Sequence, residues 1–143
     1  MTDHDRAARA DSKLGWVADI ERITLDNANF RTTEHTGTHA QLTLMRLAAG
    51  EDIGWEAHDH LDQFLRLEQG QARLELGPSE DSITERHDIA DDWAVIIPAG
   101  VWHNVVNTGE DEVKLYSIYS PPEHPAGTVH PTKADAEADE HHH

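Results

Sequence analysis

The chain has 143 residues, and its 28 acidic against 11 basic residues give a formal net charge of −17 at pH 7. This length suits one compact domain, and no second domain is expected. The negative charge repels phosphate backbones and anionic lipid headgroups, so the composition argues against a nucleic-acid partner and a membrane partner. The chain contains no Cys, which excludes disulfides, thiolate zinc sites and cysteine nucleophiles. Any bound metal must use His, carboxylate or amide ligands.

Composition leads to three further expectations. The first 13 residues contain no apolar stretch long enough for a signal peptide, and no later run approaches membrane-spanning length, so the expected location is the cytoplasm. Only three of the 11 basic residues are Lys, and Asp outnumbers Glu. This balance suits a surface hydrated in concentrated salt and predicts a halophilic source. The terminal His141 to His143 are either a native tail or the remains of an affinity tag, and they are left out of the chemistry.

Short β-forming runs recur along the middle of the chain, and Gly or Pro separates them at intervals of about ten residues. Residues 41–47 (QLTLMRL) and 93–98 (WAVIIP) are apolar runs, whereas 71–76 (QARLEL) and 112–119 (EVKLYSIY) alternate between polar and apolar side chains. Many short strands at this spacing predict an all-β sandwich or barrel without a sustained helical period. The acidic segment 77–92 is expected to be a variable loop.

The two ends of the chain lack the core-forming pattern of the middle. Residues 1–14 are polar and Ala-rich, and residues 121–143 pass through a Pro-containing stretch into an acidic end. We therefore expect a flexible polar N-terminus at 1–14, a β-barrel domain at 15–120, and a Pro-containing acidic tail at 121–143.

The densest cluster of candidate metal ligands lies in the segment GWEAHDHLDQF. Glu56, His58 and His60 occupy alternate positions, so on an extended strand they would share one face. Gln63 alternates with the outward Arg66 and shares its face with two leucines, so it points towards the core. A buried amide needs partners for its oxygen and nitrogen, and a metal ion can serve the oxygen.

A second inward-pointing imidazole comes from a distant part of the chain. His103 shares its face of the predicted strand with Val101 and Val105.

The first cluster resembles the first motif of the cupin family, which runs Gly, five residues, His-x-His, three or four residues, Glu, six residues, Gly. The matching positions are Gly50, Glu56, His58, Gln63 and Gly70. Glu replaces the first His of the motif, and Gln replaces its Glu.

The second cupin motif runs Gly, five residues, Pro-x-Gly, two residues, His, three residues, Asn. Here it matches Pro98, Gly100, His103 and Asn107, while Asp92 replaces the leading Gly. The resemblance covers about residues 39–120, most of the part expected to be ordered.

The cupin resemblance implies a double-stranded β-helix, in which two sheets close into a small β-barrel. It also implies metal ligands at Glu56, His58, Gln63 and His103. Two imidazoles and a carboxylate suit one divalent transition metal, among Fe, Mn, Ni, Co and Zn. Because Gln63 is neutral, we expect weaker metal binding than at the usual cupin site.

An alternative register of the first motif uses His58, His60 and His103 as ligands. It keeps a literal His-x-His but leaves only two residues before Gln63, so we favour the register that begins at Glu56.

Several other residues have more than one interpretation. His60, Gln41 and Trp102 are candidates for contacts with the ligands or with a substrate. A solvated turn position would explain His60 equally well, and simple packing would explain the other two. The remaining histidines considered, His87, His124 and His130, are expected at the surface.

The resemblance implies a small-molecule partner and two classes of function. The first is metal-dependent enzymology on a small polar or anionic organic molecule, since cupins include dioxygenases, sugar-phosphate isomerases and epimerases. The second is non-catalytic ligand binding or sensing, and a purely structural domain with an empty site is a third reading. A flat, exposed barrel sheet also predicts a homodimer.

Overall fold

The computed structural model describes residues 7–140, so the terminal His141 to His143 lie outside the described part. In chain order its elements are α1 (Ile20–Asp26), β1 (Arg31–Thr36), β2 (Gln41–Leu47), β3 (Asp62–Gln69), β4 (Gln71–Gly77), β5 (Glu85–Ala90), β6 (Ala94–Ile97), β7 (Trp102–Asn107), β8 (Val113–Ser120), β9 (Val129–His130) and α2 (Lys133–Glu140). The four runs identified from the sequence form strands β2, β4, β6 and β8, which confirms those four predictions.

The strands form two antiparallel sheets, as the all-β prediction requires. The larger sheet has the order β6-β3-β8-β2-β1-β9, and the smaller has the order β5-β4-β7. Apolar side chains of both sheets meet in one core, where Leu65 of the larger sheet and Val105 of the smaller are completely buried. The expected all-β architecture is therefore confirmed.

The inner face of the larger sheet changes from apolar to polar along its strands. One row of paired residues is wholly apolar and 0% exposed: Met45, Leu115 and Leu67. A row four positions along the same strands carries polar groups that are at most 2% exposed: Gln41, Tyr119 and Gln63. The apolar rows supply the hydrophobic core, and the polar end places hydrogen-bonding groups inside the barrel.

The acidic segment 77–92 is not simply a loop, because it contains β5, which pairs with β4 from Gln71↔Ala90 to Leu76↔Glu85. The first four side chains of β5 are exposed, and Ile89, at 4% exposure, is its one buried residue. β5 is an edge strand whose charged residues face solvent, so its sequence carries no apolar alternation by which it could be recognised.

A short helix covers the outer face of the larger sheet. In α1 the side chain of Asp19 accepts a hydrogen bond from the Arg22 backbone N–H at 3.2 Å, which caps the helix N-terminus. Ile23 of α1 packs with Leu44 and Tyr116 of the sheet. Seven residues are too few to show a helical period, which explains why the sequence pattern did not predict this helix.

The acidic C-terminal segment also packs on the domain. β9 extends the larger sheet by pairing with β1, and its residue His130 lies opposite Arg31. Ala136 of α2 is 3% exposed and belongs to the hydrophobic core. Two strand residues and one buried alanine are enough to attach this segment, but they leave no repeating apolar pattern in the sequence.

Neither described helix is long and apolar enough to cross a membrane. The cytoplasmic location, the halophilic source and the homodimer remain predictions.

Candidate metal centre

Glu56 and His103 lie opposite each other in an isolated antiparallel β-bridge. The N–H of Glu56 donates to the carbonyl oxygen of His103 at 3.1 Å, and the N–H of His103 donates to the carbonyl oxygen of Glu56 at 2.8 Å. The segment around Glu56 is otherwise irregular, so Glu56, His58 and His60 do not lie together on one extended strand. This bridge, and not a shared strand face, brings the first motif to the second.

His103 is 2% exposed and has its ring fixed by the backbone. Its Nδ1 donates a hydrogen bond to the carbonyl oxygen of Val101 at 3.0 Å, since a carbonyl can only accept. The proton of the neutral imidazole therefore resides on Nδ1, and Nε2 presents a lone pair. That Nε2 is buried without a hydrogen-bond partner, as expected of a metal ligand whose other nitrogen is anchored.

His58 is held beside His103, with 5.5 Å between the two ring centroids. Its carbonyl oxygen accepts a hydrogen bond from the N–H of Gly100 at 2.8 Å, which ties it to the Pro-x-Gly turn of the second motif. Its Nδ1 lies 3.5 Å from a carboxylate oxygen of Glu123, and its Nε2 lies 3.4 Å from a carboxylate oxygen of Glu56. Both distances exceed the ordinary hydrogen-bond range of about 2.7–3.2 Å.

Glu56, His58 and His103 form a group whose ligand atoms, one from each residue, all lie within 4.8 Å of one another. The lone pairs of two imidazoles and one carboxylate oxygen converge there, and the Nε2 atoms of both histidines are buried. This donor set fits a divalent transition metal, which would satisfy the buried lone pairs.

Gln63 adds an amide to the same polar end of the barrel. It is 2% exposed, and its Nε2 donates to Ser117 Oγ at 3.2 Å and faces the Tyr119 hydroxyl at 3.5 Å. Its Oε1 is buried without a hydrogen-bond partner. The prediction that Gln63 points inward is confirmed, and its unpaired oxygen is the atom that an amide ligand would use.

The charges of the site are coupled. Burial raises the pKa of Glu56, but the contact with His58 and the positive charges of His58, His103 and Arg31 hold it below its ordinary value. Burial lowers the pKa of His58, but Glu56 and the charge of Glu123 raise it above its ordinary value. Burial also lowers the pKa of His103. The site therefore favours an ionised Glu56 and a neutral His103, the forms that bind metal, whereas a metal must displace the proton that Glu56 and Glu123 favour on His58.

The other candidate residues named from the sequence lie in three different settings. His60 is exposed in a turn and is not part of the three-residue group. Trp102 alternates with the buried His103 along β7, and its ring packs 5.9 Å from that of Trp55. Trp102 therefore lies on the opposite face of β7 from the group.

Gln41 is 1% exposed and uses its whole amide to hold another segment. Its Nε2 donates to the Thr36 hydroxyl at 2.8 Å and to the His124 carbonyl oxygen at 2.7 Å. Its Oε1 accepts from the N–H groups of Glu123 and His124 at 3.1 and 2.9 Å. With both donors and both lone pairs in use, Gln41 fixes residues 123–124 and has no hydrogen-bonding capacity left for a substrate.

Sequence reasoning missed the contribution of the segment after β8. Glu123 faces His58, and the ring of His124 stands edge-on to Tyr119 at 5.3 Å between centroids. The expectation that His124 and His130 lie at the surface is wrong: the Nε2 of His124 is buried, and His130 is 7% exposed. Only the third of these histidines, His87, is exposed. The polar sequence of this segment gave no sign that it folds over the barrel.

Comparisons with known proteins agree with the observed fold. The family model described as "Cupin domain" matches residues 43–119. Protein YrkC of Bacillus subtilis is 54% identical over 125 residues, covering 87% of this chain and 67% of the relative. Protein L612 of Acanthamoeba polyphaga mimivirus is 38% identical over 115 residues, covering 80% of this chain and 70% of the relative.

A solved structure extends the likeness to the whole fold. The crystal structure of BH2720 from Bacillus halodurans is 50% identical and superposes with a TM-score of 0.86, covering 91% of this chain and 98% of that one. The matched residues 43–119 contain both motifs and all four residues expected as metal ligands. The chain therefore belongs to the cupin family.

Proposed function

We propose that this cupin binds one divalent transition metal ion through Glu56, His58 and His103, with the amide oxygen of Gln63 as a fourth ligand. The observation that carries the proposal is the convergence of the three ligand atoms within 4.8 Å. The unpaired Oε1 of Gln63 supports the fourth position, because a buried amide oxygen without a partner carries a desolvation cost that a cation would remove.

The ligand set limits which metals fit. Two imidazoles, one carboxylate and one amide suit Fe, Mn, Co, Ni or Zn, and a metal so held supplies Lewis-acid or redox chemistry at its remaining positions. A neutral amide contributes less charge than a second carboxylate, so the affinity is lower than at a cupin site with Glu in that place.

The protein groups around the ligands would serve a bound small molecule. Burial raises the pKa of Tyr119 to about 12, so its phenol stays protonated at neutral pH. Tyr119 can then donate a hydrogen bond inside the barrel, where Gln63 lies beside it. We propose that the protein acts on a small polar or anionic organic molecule, in a dioxygenase-like or isomerase-like reaction.

The second candidate function is ligand binding or sensing without turnover. It is favoured by Gln63, because the residue that stands in place of the family's Glu cannot act as a base. Under this reading the same ligands and the same polar barrel end bind a molecule and release it unchanged.

The test begins with protein from which His141 to His143 have been removed, since a run of histidines binds metal by itself. Elemental analysis after purification without chelator is expected to give up to about one transition-metal ion per chain. The loaded protein is then incubated with small hydroxy and oxo acids, and both dissolved oxygen and product are followed. Turnover supports the enzyme, saturable binding without turnover supports the sensor, and absence of metal from every preparation contradicts the proposed site.

A further inference from the structure

We propose that Arg31, Thr33 and His124 form an anion-binding subsite beside the metal ligands, and that the small molecule bound there carries one carboxylate. This inference rests on the proposed function, since it names the class of molecule that the same barrel interior would accept.

Arg31 is a buried cation without an anionic partner. It is 5% exposed, and no carboxylate lies within 4.0 Å of its guanidinium in the described chain. Its Nη1 lies 3.2 Å from Nδ1 of His130, its guanidinium lies 5.4 Å from the centre of the Phe30 ring, and its Nε makes no hydrogen bond. Burying a charge is costly unless an opposite charge accompanies it, so an anion is the partner that this residue lacks.

His130 and the C-terminal segment hold the guanidinium in place. His130 lies opposite Arg31 in the β1–β9 pair, and its Nε2 donates to a carboxylate oxygen of Asp139 at 2.9 Å. That hydrogen bond leaves Nδ1 of His130 free to accept from Arg31. The C-terminal segment thereby positions the Arg31 side chain.

His124 supplies a second unpaired polar group. Its Nε2 is buried without a hydrogen-bond partner, and its backbone is fixed on both sides by Gln41. Burial lowers the pKa of His124 to about 4, so the ring is neutral near pH 7 and can donate one hydrogen bond through Nε2–H.

Arg31 and His124 belong to the same buried region as the candidate metal ligands. Thr33, on the same face of β1 as Arg31, lies opposite Thr43 of β2, and Gln41, two residues before Thr43, holds His124. The ring of His124 packs against Tyr119 at 5.3 Å between centroids, and Tyr119 lies 6.0 Å from the ring of His58.

Five of the unpaired buried side-chain atoms in the described chain divide by chemistry into two sets. Lone pairs of His103 Nε2 and Gln63 Oε1 call for a cation. The N–H of Arg31 Nε, the hydroxyl of Thr33 and the Nε2 of His124 can all donate, and together they call for an anion. Thr33 lies two residues after Arg31, on the same inward face of β1.

Charge balance selects a carboxylate over a phosphate. Arg31 is one positive charge, whereas Glu56 and Glu123 bring two carboxylates to the same barrel end. A dianion would meet strong repulsion from these carboxylates, while a monoanion can pair with the single guanidinium. A neutral molecule would leave Arg31 without a carboxylate in direct contact.

The test uses trifluoroacetate as the carboxylate probe, observed by fluorine NMR, with trifluoroacetamide as its neutral counterpart. Inorganic phosphate and acetate serve as competitors. Each is titrated into the full chain without His141 to His143, both metal-free and loaded with Zn. Trifluoroacetate is expected to bind the metal-free protein at least tenfold more tightly than trifluoroacetamide does. Phosphate is expected to compete at least tenfold more weakly than acetate.

Variants locate the subsite. Arg31→Met and His124→Leu are expected to weaken trifluoroacetate binding to the metal-free protein at least tenfold and about threefold, respectively, while zinc per chain is unchanged. Arg73→Met is the matched control, because Arg73 pairs with Glu75 at 3.3 Å and alternates with inward-facing residues of β4.

Three outcomes overturn the subsite: equal binding of the carboxylate and the amide, unchanged binding in Arg31→Met, or tighter competition by phosphate than by acetate. If Arg31→Met does not fold, the wild-type selectivity and His124→Leu decide alone, and either equal binding of the two probes or an unchanged affinity in His124→Leu overturns the subsite. Carboxylate binding by a protein that takes up no metal contradicts the proposed function and leaves this subsite standing. Metal uptake without carboxylate selectivity overturns the subsite and leaves the proposed function standing.

Discussion

Glu56 and His103 are joined by two backbone hydrogen bonds, so the side chains of two distant segments start from directly opposed positions in the barrel. Residues that exchange both hydrogen bonds in an antiparallel pair keep a fixed separation of about 5.5 Å between their Cα atoms. The backbone therefore sets the spacing of one carboxylate and one imidazole before any metal binds. Such preorganisation reduces the conformational entropy that metal binding must overcome.

The first prediction concerns the two histidines. His58→Ala and His103→Ala should each abolish metal retention, because removing one of few ligands leaves an incomplete coordination shell. Metal per chain is measured by elemental analysis after gel filtration. His87→Ala is the matched control, since His87 is exposed on β5 and its ring faces Glu85 at 2.9 Å. Full metal content in the double variant His58→Ala/His103→Ala would refute the site.

The regular part of the fold could be predicted because its pattern is local. Alternation in β4 and the apolar run in β2 follow from burial of one or both strand faces, so they can be recognised in short windows. β5 could not be recognised, because an edge strand has no need of an apolar face. α1 and α2 are too short for a helical period to emerge.

The candidate site could be predicted only as far as motif spacing reaches. Glu56, His58 and His103 were identified because their spacing matches two known motifs. Glu123 and His124 belong to no motif, and their position depends on the hydrogen bonds that their N–H groups donate to Gln41, which lies more than 80 residues earlier. A contact of such long range leaves no trace in the local sequence.

A second prediction follows from the buried ring of His124. Its pKa is lowered to about 4 in the folded protein, against an ordinary value of 6.5. Between about pH 6.5 and pH 4, His124 is protonated in the unfolded chain but stays neutral in the folded chain. The wild type should therefore lose stability as the pH falls from about 6.5 to about 4, by up to about 3 kcal/mol from this residue.

His124→Leu removes this titration and should make the fall in unfolding free energy between pH 7 and pH 4.5 shallower. Urea denaturation at a series of pH values measures the unfolding free energy of each variant, and His87→Leu serves as the exposed control. Parallel curves for the wild type and His124→Leu would show that the ring is not buried in its neutral form.

A third prediction concerns Asp92, which stands where the second cupin motif has Gly. Asp92 has φ of 73°, a left-handed conformation that Gly adopts freely and that Asp tolerates better than β-branched residues. Its ion pair with Arg66 is exposed and contributes little. Asp92→Gly should thus change the unfolding free energy by less than about 1 kcal/mol, whereas Asp92→Val should lower it by about 1–2 kcal/mol.

Urea denaturation compares these two variants with Asp88→Val, whose position in β5 accepts a branched side chain. Equal destabilisation by Asp92→Val and Asp88→Val would mean that the backbone conformation at Asp92 carries no cost.

The fourth prediction concerns the net charge of −17. Like charges on a compact domain repel one another, and dissolved ions screen that repulsion. Raising sodium chloride from dilute to molar concentration should therefore raise the melting temperature, by roughly 5 °C for a stabilisation of 1–2 kcal/mol. Calorimetry at fixed pH measures the shift, and a melting temperature that stays constant would count against the predicted adaptation to salt.

The last prediction separates the two registers of the first motif through Gln63 and His60. If Glu56, His58, Gln63 and His103 bind the metal, Gln63→Glu adds a carboxylate to the shell and should tighten metal binding by at least tenfold, because a full charge attracts a cation more strongly than an amide dipole. His60→Ala should leave the affinity nearly unchanged, in keeping with the exposed position of His60. Competition titrations with a chromogenic chelator measure both. Loss of the metal in His60→Ala, together with its retention in Glu56→Ala, would show that the shifted register is the correct one.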